Sequence, residues 1–298
     1  MKLSLNLKAL SGHPELPVEE IARLVSSAGF EATDYSLGCM TERENIFNGN
    51  DYIAVAESIG AVLKGQGVPV TQTHAPYNFK YQITGEFDSF IYPQVVRGIE
   101  VSAALGAEII VIHPLHHFVY EGNQEEIFQK NMEYYRSLIP VAKANGIKIA
   151  TENMWQRDRL RGYITHDTCS TIPEFIRYVD EVNSEYMVAC LDVGHVGLPQ
   201  TTDEVWDFIY ALGNERLQSL HIHDNDYKQD SHCLPYAGKM DWTMITEALG
   251  KIDYSGDFTY ELNPDVLTNI DNAFLPTALK YIADLGKHLV SLVDRNRP

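Results

Sequence analysis

Short apolar, β-branched runs alternate with longer stretches of helical period from one end of the chain to the other. The strand-like runs are Leu3–Leu7, Phe30–Tyr35, Val68–Thr73, Ile109–His113, Ile147–Glu152, Met187–Asp192, Leu217–His223 and Phe258–Leu262. Between them, apolar positions recur at the 3.6-residue period of an amphipathic helix. These stretches are Val18–Ala28, Asp51–Lys64, Phe90–Leu105, Glu125–Ala144, Ile172–Val182, Glu204–Leu212, Trp242–Leu249 and Ala273–Leu292. Gly29, Gly106, Gly146, Gly213 and Gly250 stand where a helix is expected to stop, since glycine tolerates the left-handed conformation that often ends one.

Eight strand–helix alternations without a Ser/Gly-rich linker predict an α/β fold, a single (β/α)8 TIM barrel occupying residues 1–298 as one domain. An open doubly wound sheet is the alternative. Such a sheet carries a Gly-rich phosphate loop after its first strand, and the loop after Leu7 holds only Gly12. The length of 298 residues suits one barrel, which typically takes about 250.

Charge narrows the partners. With 41 Asp plus Glu against 23 Lys plus Arg, the formal net charge is -18. That surface repels a polyanion, so nucleic acid is not favoured. A modest basic patch, Arg157, Arg159 and Arg161, is the exception. Four dispersed cysteines, Cys39, Cys169, Cys190 and Cys233, form no CxxC pair and no disulfide framework. No signal-like segment or membrane-length apolar run is seen, so the expectation is a cytoplasmic protein without a membrane partner.

In a barrel, chemistry gathers at the C-terminal ends of the strands. Six consecutive strands end here in His74, His113, Glu152, Asp192, His221 and Glu261. One such residue is ordinarily a capping or solvated side chain. Several carboxylates and imidazoles aimed at one crevice are costly unless a cation neutralises them. Carboxylate with neutral imidazole suits Zn²⁺ or Mn²⁺ best, with Mg²⁺ or Co²⁺ as alternatives. Two short pairs, Asp192 with His195 and Asp230 with His232, could close on an ion from loops. His223 alternates with His221 and is read as a supporting or substrate contact. His116 and His117 follow the fourth strand as loop residues that could line the pocket; His13, His166 and His288 carry no assigned role.

With these residues the chain resembles the xylose isomerase-like TIM barrel superfamily, also called AP endonuclease family 2, of the sugar-phosphate isomerase/epimerase type. The likeness rests on His74, His113-Pro114, Glu152-Asn153, Leu191-Asp192 with His195, His221 to Asn225, Asp230 with His232, Gly238 to Trp242, and Glu261. Its ketose 3-epimerases hold one divalent ion with Glu, Asp, His and Glu. The resemblance therefore implies Glu152, Asp192, His221 and Glu261 as metal ligands, with Glu152 and Glu261 also catalytic. Endonuclease IV, a relative that cuts DNA at abasic sites, uses a three-zinc set. His74, His113, His195, Asp230 and His232 match its additional ligands. The stretch from His221 to His232 is shorter than in that enzyme, and its basic DNA-penetrating loops are not evident.

The resemblance implies a metal-dependent isomerase or epimerase acting on a sugar or sugar derivative through an enediolate, with the two glutamates as acid and base. The alternatives are a phosphodiester-type hydrolase with a two- or three-metal centre, and a barrel that binds a sugar without turnover. Tyr35, Tyr77 and Trp155 are candidate apolar walls for the sugar, and Arg157 is a candidate for an anionic substrate group. An oligomer is compatible with this reading.

Overall fold

The computed structural model describes residues 1–77, 87–116, 119–199 and 201–298; His117 lies outside them. Eight parallel strands form one sheet: β1 (Leu3–Asn6), β2 (Ala32–Ser36), β3 (Val70–His74), β4 (Ile109–Val111), β5 (Lys148–Glu152), β8 (Met187–Asp192), β9 (Leu217–His221) and β10 (Phe258–Tyr260). They run in the order β10-β1-β2-β3-β4-β5-β8-β9. A bridge between Ile222 and Tyr260 joins the last pair and closes the ring. The expected barrel is the observed one, and each strand falls within its predicted run or overlaps it.

Between β5 and β8 the chain makes an antiparallel hairpin, β6 (Trp155–Arg157) with β7 (Ile164–His166). The sequence reading treats this stretch as loop. Strands of three residues are too short for a period-2 pattern to stand out.

Helices α1 (Val18–Ala28), α2 (Tyr52–Gly65), α3 (Tyr92–Leu105), α4 (Gln124–Asn145), α5 (Ile172–Val182), α7 (Val205–Arg216), α8 (Trp242–Lys251) and α10 (Leu275–Arg295) alternate with the ring strands. The short turns α6 (Val193–Val196) and α9 (Asp265–Thr268) follow β8 and β10. Gly29, Gly106 and Gly146 end their helices in the left-handed region, as expected. Gly213 instead marks a kink inside α7, and Gly250 lies inside α8. A Cβ at Gly250 would stand 2.5 Å from the Val293 carbonyl oxygen of α10. That glycine permits close helix packing rather than a stop.

Two cores result from the period-2 alternation of the strands. Outward side chains such as Leu3, Leu5, Ile110, Ile149 and Leu220 pack against the helices. Inward, one small apolar cluster of Val111, Ala150, Val188 and Cys190 fills part of the barrel. Beside it lies a buried polar layer. Asp34 accepts from Asn6 Nδ2 at 3.2 Å and Gln72 Nε2 at 3.0 Å, and Ser219 Oγ donates to Gln72 at 2.6 Å. This layer reaches His221, whose Nε2 lies 3.6 Å from Asp34 Oδ2.

Candidate active site

At the C-terminal mouth of the barrel a cavity of about 280 Å³ is lined by His74, His113, Glu152, His195, Asp230, His232 and Glu261, with Tyr77, Met154 and Trp155 on its walls. The alternation that turns Ala150, Cys190 and Ser219 inward carries Glu152, Asp192 and His221 inward two residues later. One donor atom each from Glu152, Asp192, His221 and Glu261 lies within 4.8 Å of all the others. His221 Nδ1 stands between the glutamates, 3.0 Å from Glu152 Oε1 and 3.4 Å from Glu261 Oε2.

Neighbouring groups fix these side chains. Asn153 brackets the peptide of Asp192: its Oδ1 accepts from Asp192 N at 2.8 Å, and its Nδ2 donates to Asp192 O at 2.9 Å. Asp192 caps the short turn α6 by accepting from His195 N at 2.9 Å. Behind His221, Asp34 Oδ2 lies 3.6 Å from Nε2, a carboxylate placed to orient the imidazole whose other nitrogen faces the cluster. Sequence reasoning missed Asp34. Its signal was an acid one residue before Tyr35 in a strand-like run, a position that should be apolar if it faces the helices.

Two further groupings adjoin the first. His74, His113 and Glu152 form one; Asp192, His195, His223 and His232 form the other. Asp230 lies 3.3 Å from His195 Nε2 and 3.2 Å from His232 Nε2. In three of these histidines Nδ1 is committed to a backbone carbonyl: His74 to Ala75, His195 to Asn153 and His232 to Glu261, at 3.0, 2.8 and 2.8 Å. Nε2 is thus the nitrogen each turns towards the carboxylates, the arrangement by which imidazoles are oriented as metal ligands.

Electrostatics reflect the crowding. Burial opposes ionisation of Glu152, yet the imidazoles of His221 and His113 hold its carboxyl well below the usual range. Glu261 is likewise opposed by burial and brought down to about 2 by His221 and His232. Burial also works against charge on the histidines. Acidic neighbours nevertheless lift His195 and His221 well above normal and His232 to about 9, whereas burial dominates at His113 and lowers it to about 4. Imidazoles that attract protons next to carboxylates present what a divalent cation also seeks. The oxygen and nitrogen donors of the four-residue cluster fit such an ion.

Other candidates fall around this centre. His223 is fully buried and bonds both oxygens of Asp192, at 2.9 and 3.0 Å. Trp155 lines the cavity and donates from Nε1 to Asp230 at 3.2 Å. Tyr35 lines a separate apolar cavity, which meets the first at Lys8 and Tyr77. Arg157 lies over the Trp155 ring and bonds Gln229, outside the cavity lining. Lys8, missed in the sequence, is the one Lys or Arg among the described lining residues, and its Nζ bonds Tyr77 OH at 3.1 Å. Its β1-end position is the signal that could have found it.

Gly194 gives a direct test of the packing. A Cβ there would fall 2.0 Å from Cε1 of the His223 ring. Gly194→Ala is therefore expected to push His223 off Asp192 and destabilise the fold by roughly 1–3 kcal/mol. Chemical denaturation with unchanged stability would refute this close contact.

The sequence profile of the xylose isomerase-like TIM barrel family matches residues 22–290. The chain belongs to this family. Among curated proteins, an uncharacterized protein y4fM of Sinorhizobium fredii is 23% identical over 207 residues, covering 66% of this chain and 60% of that protein. A D-psicose 3-epimerase of Enterocloster bolteae is 32% identical over 99 residues, covering 33% of this chain and 29% of that enzyme. The matches thus span less than two thirds of either relative. Among solved structures, a D-tagatose 3-epimerase-like protein superposes with a TM-score of 0.72 at 19% identity, covering 99% of both chains. The IOLI protein with a binding zinc atom gives 0.67 at 17% identity, again over 99% of both. At these identities the structures establish the shared barrel. No helix among the described residues is long and apolar enough to cross a membrane.

Proposed function

We propose that this protein is a metal-dependent epimerase or isomerase of a sugar or sugar derivative, in which Glu152 and Glu261 are the acid and base. The observation that carries the reading is the four-residue cluster. Glu152, Asp192, His221 and Glu261 bring three carboxylates and an imidazole within 4.8 Å of one another, and both glutamates line the same cavity. The epimerase names of the relatives support the substrate class.

Those four residues would hold a divalent ion, zinc or manganese ahead of magnesium or cobalt given the imidazole content. When bound, it supplies Lewis-acid polarisation of the substrate carbonyl and compensates the charge of the enediolate. Glu152 and Glu261, carboxylates on the wall of the cavity, would be the groups that accept a proton from the carbon beside that carbonyl. In an epimerisation one removes it while the other, carrying a proton taken up from solvent, delivers that proton to the opposite face, and the first then returns its own proton to solvent. His113 Nε2, 3.0 Å from Glu152 Oε2, and His232 Nδ1, 3.7 Å from Glu261 Oε2, stand beside the two carboxylates. Trp155 and Tyr77 offer apolar wall to the sugar carbons.

One observation favours a second reading. The two adjoining groupings, with Asp230, provide ligand-type side chains for more than one ion. Two or three ions would suit a hydrolase of the phosphodiester type. The experiment is incubation of the metal-loaded protein with ketoses and ketose phosphates in deuterated water, with elemental analysis of the same sample. Deuterium entering a ketose at one ion per chain is the expected result. Two or three zinc ions with cleavage of bis(p-nitrophenyl) phosphate, and no label in any ketose, would replace the reading by the hydrolytic one.

A further inference from the structure

Five histidines line the cavity: His74, His113, His116, His195 and His232. Four belong to the metal-type groupings or to the Asp230 pair, whereas His116 belongs to none of these. The sequence places it in the loop after the fourth strand, where it could line the pocket. In the structure it is only 1% exposed, and the residue before it is held by hydrogen bonds. The preceding peptide is clamped by Asn131 of α4, which accepts from Leu115 N at 2.6 Å and donates to Leu115 O at 3.0 Å. Thr168 Oγ1 donates to the same carbonyl at 3.3 Å.

The ring is held as well. His116 Nδ1 lies 3.3 Å from Oδ2 of Asp167, and Asp167 is fully buried. Its other oxygen, Oδ1, accepts from Thr168 N at 2.8 Å. A buried carboxylate–imidazole pair is a poor source of stability because both groups lose water. It is an effective way to fix one tautomer, since an Nδ1–H given to a carboxylate makes Nε2 the acceptor. The His116 ring centroid is 5.6 Å from that of His113, whose Nε2 lies 3.0 Å from Glu152. The oriented imidazole therefore sits one ring away from a proposed catalytic glutamate, in the wall of the same cavity.

We propose that His116, oriented by Asp167, is a substrate-positioning residue whose Nε2 accepts a hydrogen bond from a sugar hydroxyl. This rests on the sugar reading above. A site built to hydrogen-bond a hydroxyl rejects the analogue lacking it far more strongly than an apolar wall does, so the pair would also set specificity.

The test compares the wild type with His116→Phe, His116→Gln and Asp167→Asn, using a ketose that the wild type labels in deuterated water and its deoxy analogues. His116→Phe is expected to raise KM by roughly tenfold or more, with a smaller change in kcat, and to lose preference for the one hydroxylated position. His116→Gln, which keeps a polar atom near Nε2, should restore part of that preference, and Asp167→Asn should weaken it. Metal per chain should be unchanged throughout. A KM and deoxy preference unchanged in His116→Phe would overturn the proposal, as would loss of metal in that variant. Absence of label in every ketose with the wild type would overturn the sugar reading first, and this assignment with it.

Discussion

Glu152→Gln and Glu261→Gln are each expected to lower solvent-proton exchange into the substrate by roughly a hundred- to ten-thousandfold. The amide keeps the size and shape of the side chain but cannot take up a proton at neutral pH. Both glutamates also belong to the proposed ligand set, so weaker metal binding accompanies the change. The comparison is therefore made at saturating metal, with occupancy measured on the same sample. Far-UV circular dichroism should be that of the parent barrel, because neither residue packs in its apolar core. Wild-type exchange in either variant, at equal occupancy, would end the two-glutamate mechanism.

Asp224→Ala is expected to cost about 3–5 kcal/mol of stability and to loosen the loop that carries Asp230 and His232. Asp224 is fully buried. Its Oδ1 accepts from the backbone N–H of Asn225, Lys239 and Met240 at 2.8, 3.0 and 3.2 Å. Its Oδ2 accepts from Tyr236 N at 2.9 Å and from the Trp242 indole at 2.8 Å. One carboxylate therefore gathers both ends of the excursion between β9 and α8. Removing it leaves several buried donors without an acceptor, each a penalty of roughly 1–3 kcal/mol before relaxation. Urea denaturation reads the stability, and the affinity for added zinc reads the loop. A variant within about 1 kcal/mol of the wild type would show that the loop is held by other means.

Asp224 also marks where the sequence stopped being legible. The run from His221 to Asn225 reads as one polar motif, yet its members divide by strand parity and by what lies above them. His221 faces the glutamates, His223 backs Asp192, and Asp224 turns away to organise a loop. The ring of strands was readable because parallel strands covered on one side by helices need apolar runs, and turn residues separate those runs. The chemistry was readable because strand ends bring distant residues to one rim. Asp34 and the pairing of His116 with Asp167 were not. Their meaning lies in contacts across 187 residues of chain for Asp34 and His221 and 51 for His116 and Asp167; the local pattern marks Asp34 as an acid within a strand but names no partner for it. The hairpin Trp155–His166 escaped for the opposite reason, being too brief to imprint a period.

The ring of strands closes at its thinnest seam. Between β9 and β10 the ladder reduces to the Ile222–Tyr260 bridge, with Ile222 N donating to Thr259 O at 2.8 Å and Glu261 N donating to Ile222 O at 3.1 Å. His221 stands on one lip of that seam and Glu261 on the other. A cation shared by them would act as a rivet across the join, so ion binding and barrel closure would reinforce each other. Loss of the last strand would then dissolve the ligand set and the cylinder in a single event.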